Sequence, residues 1–211
     1  MAHFNLPMAL TWLRIVLIPL FVGVYYLPDS LLSIQGKNWL AMGIFALAAF
    51  TDWADGYLAR RWSQVSAFGA FLDPVADKLM VAAALIVLVG LDRAEMWLAI
   101  IIIGREIAIS ALREWMAQLG KARSVAVAFI GKVKTGAQIT AIIALLLYQP
   151  VIPGIDTVWL GTTALWVAAI LTLWSMLHYL RLAAPHLRPS MVTAPSRSKN
   201  PGEPGETEKR D

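Results

Sequence analysis

The sequence predicts an all-α integral membrane protein with six transmembrane helices, and three observations carry that expectation. Hydrophobic residues make up 58% of the 211-residue chain and charged residues only 15%, against about 25% charged in an ordinary soluble domain. One small core could not hide that excess without leaving large apolar patches in water. Six stretches approach the roughly 20 apolar residues that cross a bilayer, near 8–27, 39–60, 69–91, 95–115, 133–150 and 157–181. Finally, Lys and Arg are distributed unevenly between alternate connections, as they are in polytopic proteins.

The first segment lacks a cationic stretch before its apolar run, so it is expected to stay in the mature chain rather than leave as a signal peptide. Asn5 and Thr11 are expected to help cap it, and Arg14 to snorkel toward the headgroups. Pro28 and Asp29 break it from the second segment, Asp92 and Arg93 separate the third from the fourth, and Pro150, Pro153 and Gly154 the fifth from the sixth. Trp39, Trp62, Trp97 and Trp159 stand near segment ends, where they suit an interfacial belt or packing between helices.

Arg60, Arg61, Lys121, Arg123 and Lys132 fall on one side of this arrangement, with the basic tail that begins at Arg181. Only Lys37 and Arg93 fall on the other. Both termini are therefore expected on the cytoplasmic side of a multi-pass protein. Residues 1–183 form the expected membrane domain and 184–211 a cytoplasmic tail, disordered from about 195, where Pro, Gly, Ser, Glu and Lys dominate. The net charge of +4 is explained by these basic ends, so nucleic acid is not an expected partner. The chain has no cysteine, which excludes disulfides and thiolate chemistry, and its three histidines are scattered.

The chemistry concentrates between Thr51 and Met80, where Asp52, Asp55, Asp73 and Asp77 interrupt apolar helices. A charge at the centre of a membrane helix costs about 2.5–3.5 kcal/mol, so acids placed there are functional candidates. Asp52 and Asp55 are three residues apart, Asp73 and Asp77 four apart, so each pair shares one helical face. The short connection makes the second and third helices antiparallel neighbours and puts both pairs at one depth. Oxygen-only ligands favour hard cations such as magnesium, manganese or calcium, and two divalent ions would balance four carboxylates. Gly56, Ala59, Gly69 and Ala70 leave room for close helix approach or for a planar ligand. Arg60 is suited to gripping phosphate oxygens bidentately.

Written out, the stretch is D-x-x-D-G-x-x-A-R-x8-G-x-x-x-D-x-x-x-D, from Asp52 to Asp77. It resembles, position for position, the signature of the CDP-alcohol phosphatidyltransferase family. FNLPMALTWLRIVLIPLF at the start, GREIAISALREW at 104–115 and GKVKTGAQ at 131–138 extend the likeness to roughly residues 4–181, and look like the bacterial branch that uses glycerol 3-phosphate as acceptor. The resemblance implies the family's six-helix fold, a homodimer in the bacterial cytoplasmic membrane, and a cytoplasm-facing site with two divalent cations, magnesium or manganese. It implies transfer of a phosphatidyl group from CDP-diacylglycerol to an alcohol with release of CMP. Asp52, Asp55 and Asp73 become metal ligands, and Asp77 a further ligand and the candidate general base. Gly56, Ala59, Arg60 and Gly69 become the CDP-binding surface.

Glycerol 3-phosphate brings a dianion to an acidic site and needs cations, which Arg105, Arg113, Lys132 and Lys134 supply as a group. Glu106 and Glu114 are expected to be their structural partners. Two rivals stand beside this reading. One is the same transfer to inositol phosphate, serine, choline or phosphatidylglycerol. The other is cation transport, which also places acids in membranes but leaves the adjoining glycine and alanine spacing unexplained.

Overall fold

The structure is a computed structural model that describes residues 6–62, 67–118, 129–150, 154 and 156–187. Asn5, Lys121, Arg123, Pro153 and the tail from 188 lie outside the described residues. Among the described residues every long element is an α-helix: α1 (Leu6–Gly23), α2 (Ile34–Trp62), α3 (Ala67–Gly90), α4 (Met96–Gln118), α5 (Phe129–Leu147) and α6 (Thr157–Leu187), with a 3₁₀ turn at Val24–Tyr26 after α1.

Each helix overlaps an apolar stretch read from the sequence, but α1 stops earlier, α2 begins earlier, α4 and α6 run further, and α5 both begins and ends earlier than hydropathy indicates. Hydropathy fades toward the polar ends of a segment, whereas backbone hydrogen bonding does not require apolar side chains and continues into them. Length and composition together decide which described helices pass as spans. Met8–Tyr26 and Thr157–Arg181 are long and apolar enough to cross a membrane by that measure.

The helix ends are closed by identifiable chemistry. Asp92 takes a left-handed conformation (φ 55°) after α3. Its N–H donates to Val89 O at 3.1 Å and that of Arg93 to Leu88 O at 2.9 Å, the paired bonds of a Schellman cap. Asp156 opens α6 by accepting from the N–H groups of Val158 and Trp159 at 2.9 and 3.2 Å. The last carbonyls of α5 are satisfied from other elements: Arg93 donates to Leu145 O and Leu146 O, and Asn38 to Leu147 O.

α1 packs against both α2 and α3, α5 lies along α6, and α4 rests on α6. Phe21, Phe45, Leu85, Leu88, Ile142 and Leu145 fill the centre. The outside is equally apolar: Val16, Ile86, Ile100, Ile107 and Ile170 are each 59–63% exposed. Such a girdle in water would be an aggregation surface, so its natural surround is lipid. Trp39 and Trp159 are exposed near helix starts, as an interfacial belt requires, while Trp97 also packs edge-on against Trp166 with ring centroids 4.8 Å apart.

Candidate active site

The acid-bearing helices are tied together by α1. Thr11 and Arg14 are three residues apart and share one face of that helix. Arg14 pairs with Asp52 of α2 at 3.0 Å, and the Thr11 hydroxyl donates to Asp73 of α3. Two expectations are corrected here. Arg14 does not snorkel to the headgroups: it is only 1% exposed, drawn inward by a carboxylate it can neutralise. Thr11 does not cap its helix, because α1 begins at Leu6 and the hydroxyl instead reaches a partner on another helix.

Asp52 is 47% exposed, Asp73 is half-buried and Asp77 is exposed. Gly69 is buried in α3, on the face that Asp73 and Asp77 continue at four-residue intervals. Asp55, Gly56, Ala59 and Arg60 lie in α2, but their side chains fall outside the described residues. Among the described residues no three acidic or histidine side chains converge closely enough to hold a metal ion. Arg14 and Thr11 engage two of the carboxylates concerned.

Asp77 belongs to a polar cavity of about 220 Å³ where four helices meet. α3 contributes Asp77 and Lys78, α4 contributes Arg105, Glu106 and Arg113, α5 contributes Lys134, and Tyr179 of α6 closes it. Four cations thus face two carboxylates, and the excess of positive charge suits an anion. The charges of Asp52 and Arg14 act on Asp77 as well as those of Glu106 and Lys78.

The structure therefore brings Arg105, Arg113 and Lys134 together with Asp77. Lys132 lies in α5, with its side chain outside the described residues. Glu106 takes the partner role expected of it twice over, accepting from Lys134 and lying 3.4 Å from Arg105. Glu114 instead lines an apolar groove of about 350 Å³ between α3 and α4, along which Val75, Leu79, Ile103 and Ile107 run. Lys78 and Glu106 border both spaces.

Sequence reasoning missed Ser175 and Tyr179. Arg105 donates to Ser175 Oγ at 2.6 Å, and its guanidinium carbon lies 5.9 Å from the Tyr179 ring centroid. The available signal was weak: a small hydroxyl residue inside the otherwise apolar run Leu173–Leu177.

Comparison with known proteins agrees with the signature. A family model described as CDP-alcohol phosphatidyltransferase matches residues 4–174. Curated relatives from Shigella flexneri serotype 5b (strain 8401), Shigella boydii serotype 4 (strain Sb227) and Escherichia coli (strain K12) are each 53% identical over 184 residues, covering 86% of this chain and 96% of the relative. Each of these relatives is named a CDP-diacylglycerol--glycerol-3-phosphate 3-phosphatidyltransferase.

Proposed function

The chain belongs to the CDP-alcohol phosphatidyltransferase family, and from that premise we propose how its residues divide the work. It is an enzyme that transfers the phosphatidyl group of CDP-diacylglycerol to glycerol 3-phosphate, giving phosphatidylglycerophosphate and CMP. The observation that carries the assignment of roles is the cavity in which Asp77 shares a wall with Arg105, Arg113 and Lys134.

Asp77 accepts the proton of the attacking glycerol hydroxyl as its oxygen bonds to the phosphatidyl phosphorus and the bond to CMP breaks. Arg105, Arg113, Lys132 and Lys134 hold the acceptor's phosphate, and Arg105 offers the planar fork that matches phosphate oxygens. Arg60 grips the CDP pyrophosphate, while Gly56, Ala59 and Gly69 let it approach the helix backbones. Asp52, Asp55, Asp73 and Asp77 would hold two divalent cations. The donor set fits, being carboxylate oxygen throughout, with Asp52 and Asp77 accessible. Magnesium or manganese bound there supplies charge neutralisation and electrophilic activation of the pyrophosphate.

The apolar groove beside Lys78 and Glu106 gives the acyl chains a route from polar site to lipid. All six helices cross the bilayer of the bacterial cytoplasmic membrane, with the termini and the site cytoplasmic, and the protein works as a homodimer. The uneven Lys and Arg distribution and the lipid-suited outer girdle support this placement. A cation pathway has no such support: beyond the polar cavity the centre is packed with Phe21, Phe45, Leu85 and Leu88.

Purified protein in detergent, given CDP-diacylglycerol, magnesium or manganese and a panel of alcohols, should release CMP with glycerol 3-phosphate. Release with serine alone would overturn the acceptor. Asp77→Asn should lower kcat on the order of 10²–10⁴-fold with CDP-diacylglycerol binding retained. Unchanged turnover in that variant, or loss of metal binding altogether, would remove the base assignment.

A further inference from the structure

Arg105 is 7% exposed, and the element that fixes its guanidinium is a different helix, α6. The Ser175 hydroxyl donates its one proton to Thr172 O at 2.9 Å, a turn back along α6. Its remaining lone pairs are what receive Arg105 NH2 at 2.6 Å, so the direction of that bond is decided by chemistry. Tyr179, one turn further along the same face, sets its buried ring against the guanidinium. Glu106 restrains NH1 at 3.4 Å. The buried Nε–H has no partner among the described residues, and Arg105 lines the cavity. A buried donor of this kind calls for an acceptor, which a phosphate oxygen in the cavity would supply.

We propose that Ser175 is a positioning residue for the acceptor phosphate: it holds Arg105 in the orientation that presents the free part of its guanidinium to the cavity, with Tyr179 as the backing surface. The proposal rests on Arg105 binding the phosphate of glycerol 3-phosphate. An arginine side chain has many rotamers, and holding one of them before the substrate arrives lowers the ordering cost of binding. The effect is therefore specific to the substrate that Arg105 contacts.

The test is steady-state CMP release by the full-length protein in detergent, with each substrate varied while the other is saturating. Ser175→Ala should raise the KM for glycerol 3-phosphate roughly tenfold, the equivalent of one hydrogen bond to a charged group. The kcat and the KM for CDP-diacylglycerol should stay unchanged. Ser175→Thr, which keeps the hydroxyl, should restore the wild-type KM. Ser175→Cys, close in size with a poor acceptor, should reproduce the alanine shift if the alanine variant does not fold. In an Arg105→Ala background Ser175→Ala should add nothing. An unchanged KM, an equal rise for both substrates, or no rescue by threonine would overturn the proposal. Wild-type protein that releases no CMP with glycerol 3-phosphate would overturn the acceptor reading instead.

Discussion

Replacing Glu106 by alanine removes a carboxylate that Lys134 grips and that also lies 3.4 Å from Arg105. Both cations are deeply buried, at 5% and 7% exposure, and the Glu106 side chain is only 17% exposed. Taking one partner from a buried ion pair costs about 3–5 kcal/mol, because the charge left behind is uncompensated. Lys134→Met removes a charge instead of stranding one, and Glu106 keeps Arg105 beside it, so the cost falls to about 1–2 kcal/mol. Combining Glu106→Leu with Lys134→Met should recover most of the loss, since an apolar pair of similar volume replaces a buried ion pair at little net cost. For a chain of this size each kcal/mol shifts the unfolding midpoint by about 2–4 °C, which puts Glu106→Ala about 6–20 °C below wild type. Thermal unfolding of purified variants in one detergent measures the order directly. A Lys134→Met cost equal to that of Glu106→Ala, or a double variant worse than either, would refute the stranded-charge account.

Arg93 offers a contrast, because it serves the opposite end of α5, about 16 Å from Lys134 at 1.5 Å per residue. It donates to Leu145 O and Leu146 O at 3.2 and 2.9 Å and lies 4.5 Å from the Tyr148 ring centroid. Arg93→Met should lower stability by about 1–3 kcal/mol with both KM values intact, read by thermal unfolding beside CMP release. Gly161 meets α5 closely: a Cβ there would lie 2.7 Å from Leu145 Cγ, so Gly161→Ala should cost about 1–3 kcal/mol in the same unfolding assay. Gly43→Ala meets nothing within 4 Å and should be neutral or stabilising by up to about 1 kcal/mol.

Much of the site was legible as spacing along single helices. The intervals between Asp52 and Asp55, and from Gly69 through Asp73 to Asp77, state which residues share a face, since a helix repeats every 3.6 residues wherever it stands. The charges of Arg105 and Lys134 were conspicuous because apolar segments rarely carry them. Their grouping was expected from their position beside the acidic cluster and from the family resemblance together. Asp156 as a helix cap and Asp92 in a left-handed turn were hidden, because Asp in a loop is common and only geometry shows which N–H groups it meets.

The one-dimensional pattern by itself determined roughly where the helices lie and to which family, a membrane-embedded one, the signature belongs. Only tertiary structure decided that Arg14 of α1 answers Asp52 of α2, that Thr11 reaches Asp73, and that Ser175 of α6 holds Arg105. The physical reason lies in what periodicity encodes. It orders side chains around their own axis, whereas a contact between helices depends on how each is rotated, tilted and shifted against its neighbour. Those three quantities are set by the fit of whole surfaces, down to the close approach of Gly161 to Leu145.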